Sequence, residues 1–410
     1  MDIKISPSVL RGNLSIPASK SCAHRAVICA ALADGVSTLS GITMSKDIEA
    51  TISSMTALGA SFEINGDIVT VKGISGSIDG TAEIDCNESG STLRFIMPVA
   101  AALGVKSVFI GKGRLPRRPI DIYKRELKNH GITFHTEEMP YEISGILTGG
   151  KYEIEGNVSS QFITGLLFAL PLAKEDSEII MTSHLESRPY VDITIDILRR
   201  YGIEISETEN SFLIKGNQKY TPYDEQIEGD YSQAAFFFVA NALGSDVNIL
   251  NLKEDSVQGD KAITDIIADT LKNGSVTGYK ADCSDIPDLV PILSVLGAYG
   301  NMPSTIYNAE RLRIKESDRL AACADMLNNL GGNVTVTSDG LEILPTNGLN
   351  GGTIDSYGDH RIVMAAAIAA LNCKGDVIIK GAEAAEKSYP TFFEDYVKLG
   401  GKADVIDLEQ

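Results

Sequence analysis

The sequence lacks tryptophan, long apolar runs and an excess of cations. Its 410 residues include no Trp, and 55 Asp and Glu outnumber 36 Lys and Arg, which gives a formal net charge of −19. A surface this acidic repels nucleic acid and anionic lipid, so neither is expected as a partner. The longest apolar run, residues 362–371, is shorter than the roughly 20 residues that span a bilayer. Against this background, local clusters of Arg and Lys are conspicuous.

The cysteines form no recognisable framework. Six are scattered along the chain, without a CxxC pair or the spacing of a metal site: Cys22, Cys29, Cys86, Cys283, Cys323 and Cys373. This usage predicts reduced thiols in a cytoplasmic protein without a structural metal. The first residues, MDIKISP, have no basic segment followed by an apolar one, which predicts that no secretory signal is present.

A loose pattern repeats six times, with a period of about 60 to 75 residues. Each unit starts with a polar cluster and an apolar helix, continues with a short strand and a helix that contains Asp, and ends with two β-rich segments. In the first unit these are a helix over 23–32, a strand at 38–40, a helix from Asp47, and a hairpin around Asn65-Gly66. Such units predict mixed α/β layers with the most apolar helices enclosed, 362–371 above all.

The length predicts two domains, since 410 residues exceed what one hydrophobic core usually organises. The polar segment 220–225 contains Pro222 and is the best candidate for the domain boundary, and the repeat resumes after Ile227. Residues Met1 to about Ala18 have no unit of their own, and we expect them to pair with the later half. Pro98 lies inside a predicted helix, which predicts a kink or a later helix start.

The most highly charged segment is 311–319, which holds four cations and two carboxylates. Ser317 or Asp318 can cap the helix that follows, so Lys315 and Glu316 fall at its positive end, where an anion would bind. Similar polar clusters begin helices at 19–25, 89–94 and 159–161, and the loop 111–119 adds four more cations. If the units pack with pseudo-symmetry, these clusters converge on a small, multiply charged anion that carries phosphate or carboxylate groups. The chain has no Walker A, GxGxxG or GxSxG motif.

These motifs, in this order, resemble the 5-enolpyruvylshikimate-3-phosphate synthase family over essentially the whole chain. The similarity rests on 19–25, 89–94, 114–119, 159–161, 187–190, 286–288, 313–319, 358–361 and 387–390. The resemblance implies an α/β fold with two similar domains, each an inside-out α/β barrel of three βαβαββ units, and an active site in the interdomain cleft. It also implies that the chain crosses twice, so that 1–18 and 228–410 form one lobe and 19–227 the other.

The family transfers the enolpyruvyl group of phosphoenolpyruvate to the 5-hydroxyl of shikimate 3-phosphate and releases phosphate. The resemblance implies that Asp288 is the proton acceptor, that Glu316 is the proton donor, and that Lys20 contacts both substrates. It implies no cofactor and no metal. It also implies a monomer whose only partners are its substrates, phosphoenolpyruvate and shikimate 3-phosphate.

The implied binding residues fall into two sets. Those for shikimate 3-phosphate are Lys20, Ser21, Arg25, Ser159, Ser160, Gln161, Ser187, Tyr190, Asp288 and Lys315. Those for phosphoenolpyruvate are Lys20, Gly90, Arg118, Gln161, Arg319, Arg361 and Lys387.

Two other functions compete with this one. UDP-N-acetylglucosamine enolpyruvyl transferase shares the fold, but that family typically has a reactive Cys in the loop equivalent to 111–119, which here has none, and Lys-Asn where this chain has Lys20-Ser21. A non-catalytic, two-lobed anion-binding protein would need the cations but not Asp288 and Glu316 together.

Overall fold

The computed structural model describes residues 1–76, 78, 80–272 and 274–406. The last four residues of the predicted 228–410 segment therefore lie outside the described part. None of the helices in the described ranges combines the length and the apolar character that crossing a membrane requires.

Twelve α-helices occur in the described ranges. They are α1 (Lys20–Leu32), α2 (Lys46–Ala57), α3 (Gly90–Ala102), α4 (Asp121–Asn129), α5 (Ser160–Ala169), α6 (Arg188–Arg200), α7 (Tyr231–Ala242), α8 (Ile263–Thr270), α9 (Val290–Ala298), α10 (Arg319–Asn329), α11 (His360–Ala370) and α12 (Phe392–Lys398).

The same ranges hold 24 strands. They are β1 (Asp2–Ser6), β2 (Arg11–Ser15), β3 (Val36–Ser40), β4 (Ser61–Asn65), β5 (Ile68–Lys72), β6 (Ala82–Asp85), β7 (Ser107–Ile110), β8 (Ile132–Phe134), β9 (Tyr141–Gly145), β10 (Gly150–Ile154), β11 (Ser177–Met181), β12 (Ile205–Glu207), β13 (Ser211–Ile214), β14 (Glu225–Gln226), β15 (Asp246–Leu250), β16 (Leu271–Lys272), β17 (Ser275–Val276), β18 (Lys280–Asp282), β19 (Ser304–Tyr307), β20 (Val334–Val336), β21 (Leu341–Ile343), β22 (Gly352–Asp355), β23 (Val377–Lys380) and β24 (Lys402–Ile406).

Internal contacts divide the chain into two compact units. The continuous unit is Ala18–Glu228, and the discontinuous unit is Met1–Pro17 together with the chain from Gly229 onward. The predicted boundaries differ from these by one residue, because both end residues are bonded within the continuous unit. The Ala18 amide donates to Thr43 Oγ1 at 3.0 Å, and the Glu228 carbonyl accepts from the Ser19 amide at 2.7 Å.

The interpretation of 220–225 as the domain boundary is wrong. Tyr220 is buried, and its hydroxyl donates to the Phe168 carbonyl at 2.8 Å. The Asp224 carboxylate accepts from the Thr38 amide at 2.7 Å. The segment therefore belongs to the continuous unit, and β14 directly after it pairs with β3.

One sheet topology recurs through the chain. In the continuous unit the strand orders are β6-β7-β9-β8, β10-β11-β13-β12 and β14-β3-β5-β4. The first two strands of each sheet are parallel and the other neighbours antiparallel. In the first repeat, β14 from the end of the unit supplies the strand that the repeat itself lacks. The predicted hairpin around Asn65-Gly66 is present as β4 and β5.

The discontinuous unit repeats this order and incorporates the N-terminal residues. Its four-stranded sheets are β18-β19-β21-β20 and β22-β23-β1-β24, and it also holds the pairs β15-β2 and β16-β17. Ile3 lies opposite both Ile379 and Val405. The prediction that the first residues pair with the later half is therefore confirmed.

Apolar helices are enclosed within each unit, as the sequence predicts. Every residue of α11 is buried. Helix α3 runs through Pro98 from Gly90, so the predicted later start is wrong. A proline at 98 has no N–H to bond the Arg94 carbonyl, and the Tyr123 hydroxyl donates to that carbonyl instead, at 2.7 Å. A Cβ at Gly165 in α5 would lie 2.1 Å from the same carbonyl, so α3 and α5 approach this closely only because residue 165 is glycine.

Candidate active site

One buried guanidinium organises the site of the discontinuous unit. Arg319, the first residue of α10, is 2% exposed and pairs with three carboxylates. Its Nε donates to Asp359 at 2.8 Å, its Nη1 to Asp288 at 2.8 Å, and its Nη2 to Glu316 at 2.7 Å. A second guanidinium, that of Arg361, donates to the other Asp288 oxygen at 2.8 Å and to the Asp288 carbonyl at 3.1 Å. Four predicted site residues therefore form one ion cluster.

Asp359 ties this cluster to two helices. It is the N-cap of α11 and accepts from the Arg361 amide at 3.0 Å. Its second oxygen accepts from Arg319 and from the Ser317 hydroxyl at 3.0 Å. Of the two predicted caps for α10, Asp318 is the one used, and it accepts from the Ala321 amide at 3.2 Å. Ser317 is thereby free to bond Asp359.

The charge balance sets the protonation of Asp288 and Lys315. Burial raises the pKa of Asp288, but Arg361, Arg319 and Lys315 outweigh burial and hold it well below its usual range. The Asp288 carboxylate is therefore ionised and can accept a proton. Burial also lowers the pKa of Lys315 to about 8, against the opposing charges of Asp288 and Glu316. The Lys315 ammonium is thus close to titration at neutral pH.

Lys387 lies on a separate short element of this unit. It ends the short 3₁₀ helix Ala382–Lys387, is buried, and precedes Ser388, whose hydroxyl accepts from Gln233 Nε2 at 3.2 Å. That 3₁₀ helix packs against α11, the helix that carries Arg361.

In the continuous unit, the start of α1 carries Lys20, Ser21 and Arg25. Ser19 caps the helix by accepting from the Cys22 amide at 3.4 Å. The Lys20 ammonium donates to the buried Asp47 carboxylate at 3.0 Å, and this contact fixes the lysine against the first turn of α2.

The Arg25 guanidinium links α1 to α6. Arg25 is 3% exposed, and it donates to Thr194 Oγ1 at 2.8 Å, to the Ser21 carbonyl at 2.6 Å and to the Tyr190 carbonyl at 2.9 Å. It also lies 5.2 Å from the Phe95 ring centroid. Burial lowers the pKa of Arg25 to about 10, so the group stays charged at neutral pH. Three predicted binding residues, Ser21, Arg25 and Tyr190, are brought together here.

Arg118 lies directly over the start of α3. A Cβ added to Gly90 would lie 2.5 Å from Arg118 Nη1 and 3.3 Å from Arg94 Nη1. Since real Cβ contacts are longer, this approach requires glycine at position 90. The cation and the exposed backbone of a helix start together suit an anion.

The Gln161 amide is held in one orientation. Its Oε1 accepts from Arg94 Nη1 at 2.7 Å, and its Nε2 donates to Ser91 Oγ at 2.9 Å. Arg94 is fixed in turn by donation to the Pro119 carbonyl at 3.1 Å and by the Phe162 ring, 5.0 Å away. Gln161 can therefore present its remaining N–H in a defined direction.

The serines at the starts of α5 and α6 differ in their roles. Ser159 caps α5 by accepting from the Gln161 amide at 3.3 Å, and Ser160 is the first helical residue. Ser187 precedes α6 with φ 57°, and its side chain makes no capping bond to that helix. A left-handed serine is uncommon outside turns and functional sites.

Four residues outside the predicted catalytic and binding sets hold members of those sets in place. They are Asp359, Asp47, Arg94 and Thr194, and each contacts a predicted site residue at 3.0 Å or less. Asp359 directly precedes α11 and Asp47 lies in the first turn of α2, and in the sequence these positions indicate only a favourable helix start. No group of three or more His, Cys, Asp or Glu suited to a metal ion occurs among the described residues.

Comparison with known proteins identifies the family of the chain. Residues 5–396 match the family model described as EPSP synthase (3-phosphoshikimate 1-carboxyvinyltransferase). A 3-phosphoshikimate 1-carboxyvinyltransferase of Clostridium novyi (strain NT) is 46% identical over 427 aligned positions that cover 98% of each chain. The enzyme of that name from Clostridium perfringens (strain 13 / Type A) is 45% identical and covers 97% of this chain and 98% of its own.

Two solved structures share the fold. EPSP synthase from Acinetobacter baumannii superposes with a TM-score of 0.83 at 24% identity, over 98% of this chain and all of that one. The enolpyruvyl transferase NikO from Streptomyces tendae gives 0.80 at 16% identity, over 98% of each chain. The family model, the two clostridial relatives and these folds agree with the resemblance found in the sequence: the chain belongs to the EPSP synthase family.

Proposed function

We propose that this chain transfers the enolpyruvyl group of phosphoenolpyruvate to the 5-hydroxyl of shikimate 3-phosphate and releases inorganic phosphate. The family and the names of the clostridial relatives support this reaction. The observation that carries the proposal is the ion cluster in which Arg319 and Arg361 hold Asp288 and Arg319 also holds Glu316. It combines two carboxylates for proton transfer with two cations for an anionic substrate.

The reaction needs one acid and one base. A proton must reach the methylene carbon of phosphoenolpyruvate so that its C2 becomes electrophilic and the substrate hydroxyl can attack, while a base removes the hydroxyl proton. Loss of phosphate and of a methyl proton from the tetrahedral intermediate then regenerates the enol ether. We assign donation to Glu316 and acceptance to Asp288, with Lys20 contacting both substrates.

The cations can regulate the basicity of Asp288. In the free chain, Arg361 and Arg319 hold its pKa low against the effect of burial, which makes it a weak proton acceptor. Both guanidinium groups are proposed ligands of phosphoenolpyruvate. When they bind the phosphate and carboxylate of the substrate, their electrostatic interaction with Asp288 weakens and the pKa of Asp288 rises. Substrate binding would thus activate the base.

The remaining proposed contacts divide by substrate. Shikimate 3-phosphate is assigned to Lys20, Ser21, Arg25, Ser159, Ser160, Gln161, Ser187, Tyr190, Asp288 and Lys315, and phosphoenolpyruvate to Lys20, Gly90, Arg118, Gln161, Arg319, Arg361 and Lys387. The Arg25 contacts use three of the five guanidinium N–H groups.

We also propose that the chain acts as a monomer in the cytoplasm. The cysteines support this compartment, because all six are buried thiols and thiols persist where the environment is reducing.

Phosphate release tests the reaction. The chain is expected to release phosphate from phosphoenolpyruvate when shikimate 3-phosphate is present, and not with UDP-N-acetylglucosamine or with phosphoenolpyruvate alone. Release with the sugar nucleotide would favour the related transferase activity. Binding of both anions without release would favour a passive anion-binding protein.

A further inference from the structure

Four buried polar side chains form a continuous hydrogen-bonded row through the continuous unit. His24 Nδ1 lies 2.7 Å from Thr51 Oγ1, Thr51 Oγ1 lies 2.8 Å from Thr92 Oγ1, and Thr92 Oγ1 lies 2.8 Å from Ser89 Oγ. All four residues are at most 2% exposed. The row joins α1, α2 and the start of α3, and none of its members has a role in the reaction as proposed above.

The row has a defined proton order. Thr92 donates to Ser89, so in the contact between Thr51 and Thr92 the Thr51 hydroxyl is the donor. In the contact between His24 and Thr51 the donor is then the imidazole Nδ1–H. The Thr51 hydroxyl could instead donate to the Asp47 carbonyl at 3.3 Å, but the contact with Thr92 is shorter, at 2.8 Å, and we assign the proton to it. This order leaves His24 Nε2 as a bare lone pair.

The opposite order is less favourable. It would put a proton on Nε2, which has no hydrogen-bond partner among the described residues, and a buried N–H without an acceptor is rarer than an unsatisfied lone pair. Burial lowers the pKa of His24 to about 3, with Lys20 and Arg25 acting in the same direction and Asp47 opposing. The imidazole is therefore neutral and has one ring proton to place.

The order fixes what Ser89 can do. As the cap of α3, Ser89 Oγ accepts from the Thr92 amide at 3.2 Å and also from the Thr92 hydroxyl. Both of its lone pairs are thus occupied, and in the described part of the chain Thr92 is the only hydrogen-bond partner of this side chain. Ser89 is left with one proton to donate and no capacity to accept. Such a hydroxyl can bind only an acceptor, and an anionic oxygen is the acceptor that it binds most strongly.

The neighbours of Ser89 identify the anion. Gly90 follows it in the chain, and Arg118 Nη1 lies 2.5 Å from the Cβ position of that glycine. These two residues are the proposed contacts of phosphoenolpyruvate in this unit, so the inference rests on the proposed function.

We propose that Ser89 donates its hydroxyl proton to an anionic oxygen of phosphoenolpyruvate bound at Gly90 and Arg118. His24 is the positioning residue that imposes this donor direction through Thr51 and Thr92.

Steady-state kinetics of the full chain with each substrate varied in turn tests the proposal. Ser89→Ala removes a donor to a charged group, so the KM for phosphoenolpyruvate should rise on the order of tenfold or more, with the KM for shikimate 3-phosphate within about twofold of wild type. His24→Leu and Thr92→Val should raise the same KM by roughly three- to tenfold. Thr92→Val removes the hydroxyl that donates to Ser89 but keeps the backbone amide that Ser89 caps. It therefore separates the effect of the hydrogen-bonded row from the effect of the helix cap.

Two further variants provide the controls. His24→Asn presents an amide N–H near the position of Nδ1 and should restore most of the phosphoenolpyruvate KM that His24→Leu loses. Ser54→Ala removes another buried hydroxyl of α2, which donates only to the Ala50 carbonyl of its own helix at 2.7 Å, and should leave both KM values unchanged. Equal KM values for His24→Leu and His24→Asn would overturn the role of His24. A wild-type KM in Ser89→Ala, or equal rises for both substrates, would overturn the contact.

The tautomer can be read without turnover. In spectra of the chain labelled with ¹⁵N-histidine, the His24 signals are those that disappear in His24→Asn. They should show an Nδ1–H tautomer that does not titrate between about pH 5 and 9, and an Nε2–H tautomer would overturn the proton order. Absence of phosphate release from the wild-type chain would refute the proposed function, whereas release with an Nε2–H tautomer would refute only this inference.

Discussion

Removal of the Asp359 carboxylate should destabilise the discontinuous unit far more than removal of a comparable helix cap. Asp359 is fully buried and accepts from Arg319 Nε at 2.8 Å, from Ser317 Oγ at 3.0 Å and from the Arg361 amide at 3.0 Å. Asp359→Ala therefore removes one partner of a buried ion cluster and the N-cap of α11. Asp359→Asn keeps a capping oxygen and loses the charge.

The magnitudes follow from these two contributions. Breaking a buried ion pair costs about 3 to 5 kcal/mol, and we take the lower end because Arg319 keeps Asp288 and Glu316 as partners. Loss of the cap adds about 1 kcal/mol. We expect Asp359→Ala to lose about 4 kcal/mol of unfolding free energy and Asp359→Asn about 3 kcal/mol.

Asp318→Ala is the matched control. Asp318 caps α10 through the Ala321 amide. Among the described residues its one ion pair is the more exposed contact with Arg313 at 3.4 Å, so loss of the carboxylate should cost about 1 kcal/mol. Urea unfolding measures all three variants. With a slope of about 2 kcal/mol per M, Asp359→Ala should lower the midpoint by about 2 M and Asp318→Ala by about 0.5 M. Equal midpoints for the two alanine variants would refute the structural role of the buried carboxylate.

Three further predictions concern substrate binding. Since the lowered pKa of Lys315 is about 8, its charge is lost as the pH rises through that value. The kcat/KM for shikimate 3-phosphate should therefore fall above about pH 8 in the wild type and persist to higher pH in Lys315→Arg. An identical pH profile in both would contradict this role of Lys315. Gly90→Ala must displace Arg118 from a Cβ that would lie 2.5 Å away, and should raise the KM for phosphoenolpyruvate on the order of tenfold; an unchanged KM would show that Arg118 does not contact this substrate. Thr194→Val removes the 2.8 Å acceptor of Arg25 Nε and should raise the KM for shikimate 3-phosphate roughly tenfold, and an effect on phosphoenolpyruvate alone would argue against the assignment of Arg25.

The elements that the sequence predicts well depend on local patterns. The hairpin at Asn65-Gly66 and the enclosed helix α11 follow from turn chemistry and from an unbroken apolar run. The pairing of the N-terminal residues was predictable because they lack a repeat of their own. The boundary at 220–225 was misplaced because polar composition does not reveal that Tyr220 is buried and bonded to the Phe168 carbonyl. The course of α3 through Pro98 depends on Tyr123, a residue distant in sequence.

In the site, too, local motifs were predictable and long-range partners were not. Motifs identify Asp288, Glu316, Arg319 and Arg361, and the structure brings these four into one ion cluster. Asp359 was missed, because a carboxylate that precedes a helix suggests a cap and gives no sign of a second partner 40 residues earlier. Long-range partners of this kind are set by tertiary packing, which the spacing of a single sequence does not encode.

The most direct test of the account is the turnover of Asp288→Ala and Glu316→Gln beside their affinity for both substrates. We predict that kcat falls by about 10² to 10⁴ in each variant, as expected for loss of a proton-transfer group. Glu316→Gln should bind both substrates with dissociation constants near wild type in titration calorimetry. Asp288→Ala should bind phosphoenolpyruvate no more weakly than wild type, because Arg319 and Arg361 lose a competing carboxylate. Near-normal turnover in either variant would contradict the assignment of that residue to catalysis.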